Sequence, residues 1–335
     1  MSVEGSIATS RDAPPVEDVL SRTRALVRPE LDSAQRRLAP EIRGAVGDHI
    51  SSGGKMVRAA LVLLSAAACG GEEKGALDGA VAIELVHNFS LVHDDVIDGD
   101  LTRRHRATLW AEHGINQAII AGDALCTVAF QVLLDVPSEE RASAASLLAD
   151  ATQAMIAGQA LDMALERRAT ATLDECLEMV SGKTAALVRC AACLGGVLCG
   201  APDPSISALW EFGHHLGVAF QAVDDLLGTW GATEATGKPV GNDLRRRKKT
   251  IPVCIATSQG VALPGCFTVP SGEVGNAEVD EIRSVLESCG AREATVDLSE
   301  RHLRDALAAL DRAPLAALPK NELTSIAAYV VERDR

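Results

Sequence analysis

The sequence predicts an all-α protein, and its composition gives the reasons. Hydrophobic residues make up 47% of the 335 residues and charged residues 23%, which is typical of a globular chain. Aromatic residues are only 3%, so the core must be aliphatic. Alanine and leucine, which are strong helix formers, are abundant, whereas a β-sandwich or barrel would show more alternating Tyr, Phe and Thr.

Helical patterns of about 15 to 25 residues follow one another from residue 16 to residue 230. Short breaks rich in Gly, Pro or Asp separate them, as at Gly53-Gly54 and Gly70-Gly71. Two stretches, residues 231–250 and 258–276, lack helical periodicity, and the pattern returns over residues 277–333. Residues 1–15 show no periodicity and predict a disordered terminus. Because no stretch resembles a flexible linker, we expect one domain over residues 16–335.

Charge and apolar segments exclude several partners and compartments. The 32 basic residues against 46 acidic ones give a net charge of −14, which disfavours a nucleic-acid partner or an anionic membrane surface. The N-terminus has acidic residues where a signal peptide needs basic ones, and no uncharged apolar run reaches the roughly 18 residues of a membrane span. Cys190 and Cys193 form a CxxC pair, but the sequence has no second Cys pair or His pair at the spacing of a zinc site. We therefore expect the cysteines to be free thiols. We expect a cytoplasmic protein without a membrane span.

The most informative segment is residues 83–106, where an apolar helical pattern runs directly into a cluster of aspartates. Asp94 and Asp98 are four residues apart, so on a helix they share one face and repel each other. Carboxylates that face a cavity suit Mg²⁺, which prefers one or two carboxylates together with phosphate oxygens. Guanidinium groups suited to phosphate follow at Arg103 and Arg104. The segment therefore predicts a site for magnesium and a diphosphate.

A second acidic pair, Asp224 and Asp225, ends another apolar helical run, and basic residues follow it over residues 238–249. Two acidic clusters combined with scattered basic groups predict a cavity for a Mg²⁺-bridged diphosphate. The sequence has no Gly-rich P-loop, which argues against nucleotide binding of that kind. Further basic residues stand near predicted helix starts, at Lys55, Arg58 and Lys183.

Six motifs resemble, in this order, those of the all-trans isoprenyl diphosphate synthases: GGKMVR, DDVID with RR beyond it, GQALDM, GKT, FQAVDD and GKPVGNDLRRRKKTIPV. The similarity covers nearly the whole chain and is greatest to geranylgeranyl diphosphate synthases. It implies the isoprenoid synthase fold, which is a single large bundle of antiparallel helices around a central cavity, and a homodimer. It also implies that an allylic diphosphate and isopentenyl diphosphate are condensed with the help of three Mg²⁺ per active site.

For the acidic residues, the resemblance implies metal and catalytic roles. Asp94 and Asp98 would bind the Mg²⁺ that carries the allylic diphosphate, and Asp95 would orient them. Asp224 would hold a third Mg²⁺ from the opposite wall. The polar residues that would face the reacting carbons and stabilise cationic charge are Thr184 and Gln221.

For the basic residues, the resemblance implies diphosphate binding. Those that would contact the allylic diphosphate are Arg103, Lys183, Lys238 and Lys248. Those that would hold isopentenyl diphosphate without metal are Lys55, Arg58, His87 and Arg104. A lone histidine on an apolar helix can simply be a core residue, but His87 is seven residues before Asp94 and thus on the same face, which favours the site.

The implied chemistry follows from charge. Mg²⁺ and the basic groups would neutralise the leaving diphosphate, so that the allylic C–O bond ionises to a carbocation and pyrophosphate. The isopentenyl double bond would attack the cation, and pyrophosphate would take up the proton that is lost. A terpene cyclase is an alternative, but it would not need basic residues for a second diphosphate and would line its cavity with aromatic rings.

The sequence departs from the family pattern at two positions. Gly228 stands where the second aspartate motif ends in Asp, so we expect weaker Mg²⁺ binding, and a weakly active regulatory subunit is a further alternative. His105 replaces the Gly that follows the Arg pair in the family, a change that we expect a loop to tolerate.

Product length would be set by the depth of the cavity below the metals. Phe89 is five residues before Asp94, which is about 7.5 Å along a helix. Its ring could form part of the cavity floor, with the small Ser90 beside it, although it could equally be an ordinary core residue. A bulky residue at this position resembles geranylgeranyl diphosphate synthases and predicts a C20 product, with C15 or longer products as alternatives.

Overall fold

The computed structural model describes residues 14–51, 53–231, 241–268 and 274–332. The predicted disordered terminus therefore lies outside the described residues except for Pro14 and Pro15, which precede the first helix. Lys238 also lies outside them. Helices make up almost all of the secondary structure in these ranges, which confirms the all-α prediction.

In chain order the helices are α1 (Val16–Gln35), α2 (Pro40–Ser51), α3 (Val57–Ala68), α4 (Leu77–Asp98), α5 (Leu109–His113), α6 (Ile115–Leu134), α7 (Glu139–Glu166), α8 (Leu173–Val180), α9 (Ala186–Leu198), α10 (Asp203–Trp230), α11 (Asn242–Arg245), α12 (Ile251–Ser258), α13 (Gly265–Thr268), α14 (Asn276–Ser288), α15 (Ala291–Leu310) and α16 (Ala317–Glu332). A 3₁₀ turn (Glu73–Ala76) precedes α4, and a π-helical turn (Ser181–Ala185) joins α8 to α9. An antiparallel hairpin, β1 (Thr102–Arg103) and β2 (Arg106–Ala107), follows α4. The sequence did not predict this hairpin or the short helices α11 and α13, because elements of so few residues show no periodicity.

The chain forms two compact units, which are described separately. Unit 1 comprises Met1–Asp150, Cys190–Glu211 and Ala309–Tyr329, and unit 2 comprises Ala151–Arg189, Phe212–Ala308 and Val330–Arg335. Each unit is assembled from segments that are distant in the sequence, so neither is a continuous stretch of chain. The expectation of one domain over residues 16–335 stays a prediction.

In unit 1, α4 packs against α1, α3 and α6. Its residues from Gly79 to Val86 are all buried, and so is the apolar stretch 59–64 of α3. Apolar residues that surround a helix on all sides identify it as a core element. The first aspartate motif lies at the C-terminal end of α4 and is therefore held in place by the buried part of the same helix.

Helix α6 is long and apolar enough to cross a membrane by length and composition, and within the described ranges it is the one helix that meets this test. It contains a single charged residue, Asp123. Of its most apolar window, 44% is buried inside the structure, and core helices of other proteins pass the same test. Its packing against α4 is that of a core helix.

In unit 2, α8 contacts both the π-helical turn and α12, and α14 contacts α11 and α12. Their apolar faces meet in one cluster, whose largest fully buried side chain is Phe267. Other members of this cluster are Val180, Val218, Ile251, Ile255, Ile282 and Leu286. The cluster supports the helix ends that carry the second set of candidate residues.

Candidate active site

The first aspartate pair lies on the last turns of α4. Asp94 and Asp98 are both half-buried, and α4 ends at Asp98, with Gly99 in the left-handed conformation (φ 67°). Carboxylates one turn apart repel each other, and the C-terminal end of a helix carries a partial negative charge that disfavours them further. A divalent cation would relieve both effects. The chemistry of these donors, oxygen atoms at one-turn spacing, fits Mg²⁺.

Asp95, between the two, points in a different direction and is only 1% exposed. Its Oδ1 accepts a 2.8 Å hydrogen bond from Nε of Arg103 on β1. The charge pair ties the hairpin to the end of α4 and orients the guanidinium group of Arg103. This contact supports the positioning role predicted for Asp95, which stays a prediction.

The hairpin turn consists of Arg104 and His105, both in the left-handed region with φ 52° and φ 61°. Two left-handed residues in succession form the tight turn that matches the twist of a hairpin, and Gly or Asn usually occupies these positions. His105 therefore stands in a conformation that is strained for a residue with a β-carbon. The expectation that a loop would tolerate His105 overlooked this strain.

Arg58, on the first turn of α3, lies beside His87 of α4, with 3.4 Å between Nη1 of Arg58 and Nε2 of His87. Because arginine can only donate, Nε2 is the acceptor and this imidazole ring is neutral. Glu84, one turn before His87 and buried, accepts a 3.1 Å hydrogen bond from the backbone N–H of Ala59. A carboxylate at the N-terminal end of α3 stabilises that helix end and holds it against α4.

Positive charge is concentrated around His87. Burial lowers the pKa of His87 well below 6.5, and the neighbouring Arg58, Arg104 and Arg103 lower it further. His49 on α2 behaves in the same way: burial, Arg103 and Arg104 lower its pKa to about 4. Because several arginines surround these two buried histidines, the region is suited to a polyanion such as a diphosphate.

Lys55 and Arg104 lie at the rim of this basic region. Nζ of Lys55 is 4.7 Å from the ring centroid of Tyr329, a cation–π contact. The two Nη atoms of Arg104 are 3.5 Å from the position that a β-carbon would take at Gly54. The predicted residues Lys55, Arg58, His87 and Arg104 are thus brought together by the GGKMVR loop, α3, α4 and the hairpin.

Sequence reasoning missed His49 and Glu84. His49 lies six residues before Lys55, and Glu84 lies in the predicted helix one turn before His87. Glu84 stands between apolar residues in the predicted helix, and this position was a signal that could have identified it. An acidic side chain in a core needs a hydrogen-bond partner or a charged partner. For His49 the sequence offers no such signal.

Phe89 lies on the buried face of α4, with its ring edge-to-face with His93 at a centroid distance of 4.9 Å. The next residue, Ser90, donates a 2.8 Å hydrogen bond from Oγ to the carbonyl oxygen of His87. Phe89 is therefore held in a fixed position one to two turns before Asp94. Its predicted role in chain length stays a prediction.

In unit 2, Lys183 and Thr184 lie in the π-helical turn, a distortion that is frequent at functional sites. A β-carbon at Gly158 of α7 would lie 2.1 Å from the backbone nitrogen of Lys183, so only glycine allows this close approach. Lys183 forms an ion pair with the buried Asp162, and Nζ of Lys248 is 3.9 Å from the same carboxylate. Asp162 belongs to the GQALDM motif, but its role as the shared partner of two predicted lysines was not anticipated.

Thr184, Gln221 and Asp225 form a chain of hydrogen bonds. Oγ1 of Thr184 donates to Oε1 of Gln221 at 2.5 Å, and Nε2 of Gln221 donates to Oδ1 of Asp225 at 2.8 Å. Oδ2 of Asp225 accepts from the backbone N–H of Ile251 at 2.8 Å. The structure thus brings together Thr184 and Gln221, which were both predicted to face the reacting carbons, and anchors them to α12.

The second acidic pair divides into an exposed and a buried residue. Asp224 is exposed, as a metal ligand would be, whereas Asp225 is buried. Burial raises the pKa of Asp225 to about 7, and repulsion by Asp243 and Asp224 contributes to the rise, although hydrogen bonds from Ile251 and Gln221 oppose it. The oxygen donors of this region therefore also fit a hard cation, which would offset the accumulated negative charge.

Comparison with known proteins identifies the family. The polyprenyl synthetase family model matches residues 40–263. A (2E,6E)-farnesyl diphosphate synthase of Mycobacterium tuberculosis (strain H37Rv) is 41% identical over 94% of this chain and 92% of its own. A geranylgeranyl diphosphate synthase of the same organism is 39% identical over 87% of this chain and 88% of its own.

A crystal structure of a polyprenyl synthetase from Streptomyces coelicolor A3(2) has the same fold, with a TM-score of 0.87 and 40% identity over 94% of this chain and 99% of that chain. The resemblance inferred from the six motifs is thereby confirmed. The chain belongs to the polyprenyl synthetase family and is a prenyl diphosphate synthase.

Proposed function

We propose that this chain is a Mg²⁺-dependent geranylgeranyl diphosphate synthase that condenses isopentenyl diphosphate with dimethylallyl, geranyl or farnesyl diphosphate. The family uses isopentenyl and allylic diphosphates and is generally Mg²⁺-dependent. The observation that carries the proposal is the first aspartate pair, Asp94 and Asp98, half-buried one turn apart at the negative end of α4. A bound divalent cation would offset the repulsion in this arrangement.

The residues that would hold Mg²⁺ are Asp94, Asp98 and Asp224, with three ions in the complete site. Bound Mg²⁺ would supply the positive charge that stabilises the departing diphosphate. Asp95 would keep Arg103 aimed at that diphosphate through the 2.8 Å contact between Oδ1 and Nε. No residue acts as a nucleophile in this scheme, because ionisation of the allylic C–O bond provides the electrophile.

The basic groups divide between the two substrates. Arg103, Lys183, Lys238 and Lys248 would contact the allylic diphosphate, and Lys55, Arg58, His87 and Arg104 would hold isopentenyl diphosphate. The ion pairs of Lys183 and Lys248 with Asp162 support this role, since a shared carboxylate holds both ammonium groups in place until a diphosphate competes for them. Pyrophosphate, once released, would accept the proton lost after condensation.

Thr184 and Gln221 would stabilise the cationic carbons through their oxygen atoms. Oε1 of Gln221 is fixed by the 2.5 Å hydrogen bond from Thr184, and its amide nitrogen is fixed by Asp225. Such preorganised dipoles need no rearrangement when charge develops, which is the most effective way to stabilise it.

The C20 product length rests on Phe89 as part of the floor and Ser90 beside it. The similar proteins differ in product length: the relative at 41% identity is a farnesyl diphosphate synthase, and the one at 39% is a geranylgeranyl diphosphate synthase. A C15 or longer product therefore stays an alternative. So does a weakly active regulatory subunit, for which Gly228 is the supporting observation.

We further propose a homodimer in the cytoplasm, with no membrane span and no nucleic-acid partner. Three isoleucines of α6 support the homodimer, because Ile115, Ile119 and Ile120 are exposed by 50%, 43% and 56%. Exposed apolar residues clustered on one helix are typical of a surface that a second copy covers. The net charge of −14 is unfavourable for nucleic acid and anionic lipid.

Product analysis tests the function directly. The purified chain is incubated with radiolabelled isopentenyl diphosphate and each of the three allylic diphosphates, with Mg²⁺ or with EDTA, and the dephosphorylated products are separated by chain length. The proposal requires Mg²⁺-dependent formation of a C20 alcohol from every primer. A C15 end product would change the assignment to farnesyl diphosphate synthase, and no turnover by the chain alone would favour the regulatory subunit.

A further inference from the structure

The space beside Gly228 on α10 is occupied by a carboxylate. A β-carbon at residue 228 would lie 2.0 Å from Oδ2 of Asp243 and 2.9 Å from its Cγ. These distances are far shorter than van der Waals contact, so any side chain at residue 228 would have to displace Asp243. The second motif lacks its last aspartate, which would extend from residue 228. The carboxyl group of Asp243 fills that space instead.

Asp243 is held there by its own backbone. It lies in α11, directly after Gly241 and Asn242, and the φ of Gly241, 70°, is left-handed. The carbonyl oxygen of Asp243 accepts a 3.0 Å hydrogen bond from the backbone N–H of Lys248. The same turn therefore fixes Asp243 and a residue predicted to bind diphosphate. This hydrogen bond fixes the backbone of the turn from which the side chain of Asp243 extends toward Gly228.

The carboxylate of Asp243 also lies beside the second aspartate motif of α10. Gly228 is four residues after Asp224 on α10, so both positions face the same side of the helix. The carboxylate of Asp243 reaches this same side of α10, since its Oδ2 lies 2.0 Å from the position of a β-carbon at residue 228. A carboxylate at the position of residue 228 would therefore be directed to the same side of α10 as Asp224.

We propose that Asp243 replaces the missing last carboxylate of the second aspartate motif and faces the Mg²⁺ held by Asp224, either directly or through metal-bound water. This inference rests on the proposed function. It explains how the chain retains a complete set of oxygen donors although its second motif ends in Gly228. It also removes the support that Gly228 gave to a weakly active regulatory subunit.

The test measures metal binding without turnover. Mn²⁺ replaces Mg²⁺, inorganic pyrophosphate is added, and the number and affinity of bound Mn²⁺ ions are determined by electron paramagnetic resonance for wild type and the variants Asp243→Ala and Asp243→Asn. Loss of one donor to a metal or to its bound water lowers metal affinity by about 10- to 100-fold. We expect the weakest-bound Mn²⁺ to be lost in both variants. The matched control is Asp280→Asn, which alters an exposed aspartate of unit 2 and should leave all Mn²⁺ sites intact.

The double variant Gly228→Asp/Asp243→Gly makes the test specific. If the carboxylate of Asp243 stands in for one at residue 228, moving it to the α10 position should restore Mn²⁺ affinity to near the wild-type value. Gly228→Asp alone should lower the melting temperature, because two carboxylates would then compete for one space.

Three results decide the inference. Asp243→Asn with a native circular dichroism spectrum and unchanged Mn²⁺ binding would overturn it, and so would a double variant that binds no better than Asp243→Ala. A wild-type protein that binds no Mn²⁺ with pyrophosphate would instead contradict the proposed function itself. The Asn variant preserves the shape of the side chain, so the test stands even if Asp243→Ala fails to fold.

Discussion

Oδ1 of the buried Asp95 accepts a hydrogen bond of 2.8 Å from Nε of Arg103, although the two residues belong to different elements, α4 and β1. The neighbours of Asp95 on α4, Asp94 and Asp98, are half-buried and accessible to a ligand, whereas Asp95 is not. One aspartate motif thus contains two kinds of carboxylate. Two are half-buried, and one is buried and accepts a hydrogen bond from an arginine.

Asp95→Asn tests this division of roles. The substitution keeps the shape but removes the charge that pairs with the partly exposed Arg103, and weakening this charged hydrogen bond is expected to lower the free energy of unfolding by about 2 kcal/mol. The mispositioned arginine should raise KM for the allylic diphosphate more than KM for isopentenyl diphosphate. Denaturant unfolding and steady-state kinetics measure the two effects. Asp123→Asn, at an exposed position of α6, is the control, and equal changes in both KM values would contradict the role.

His105→Gly tests the strain in the hairpin turn. His105 has φ 61°, a conformation that costs a residue with a β-carbon about 1 kcal/mol and costs glycine nothing. We expect the variant to be more stable than wild type by about 0.5 kcal/mol, since glycine also loses more entropy on folding. The control is His113→Gly at the last residue of α5, which should destabilise by a similar amount. A His105→Gly variant less stable than wild type, measured by urea unfolding, would contradict the strain.

His87 should respond to a bound diphosphate. Burial and the surrounding arginines lower its pKa in the free protein, and a polyanion that neutralises Arg58 and Arg104 should raise it. Because protons are then taken up on binding, pyrophosphate should bind more tightly as the pH falls toward the raised pKa. Histidine proton resonances, assigned with His87→Asn, measure the pKa with and without pyrophosphate. Sodium chloride at equal ionic strength controls for screening, and an unmoved resonance would exclude His87 from the diphosphate site.

Phe89→Ala tests the floor of the product cavity. Removing the ring should let the growing chain extend further, so that products longer than the wild-type product accumulate. Truncation of a buried phenylalanine also lowers stability by about 3 kcal/mol, so the assay is run well below the melting temperature. Phe130→Ala, which removes a half-buried ring from α6, should leave the product length unchanged. An unaltered product distribution for Phe89→Ala would show that its ring is ordinary core.

The parts of this molecule that were predictable from the sequence depend on local spacing. The four-residue separation of Asp94 and Asp98 places them on one face of any helix, and the apolar residues before them predict that helix. Helix–loop boundaries followed from Gly and Pro in the same way. The hairpin was not predictable, because strands of two residues carry no periodic signal.

Contacts between residues far apart in the sequence were not predictable. Asp162 and Lys248, which meet in unit 2, are separated by 86 positions, and nothing in either segment specifies the pairing. The same is true of Asp243 and Gly228, where the sequence showed only that a carboxylate was missing. In each case the partner is determined by how helices pack and not by local propensity.

In the proposed function, Asp94, Asp98 and Asp224 hold the Mg²⁺ that assists departure of the diphosphate. A crystal structure with Mg²⁺ and a bisphosphonate tests it most directly. We expect three ions, with carboxylate oxygens of these residues about 2.0 to 2.1 Å from the metal. A complex in which the bisphosphonate binds without metal, or in which the ions lie away from residues 94, 98 and 224, would contradict the account.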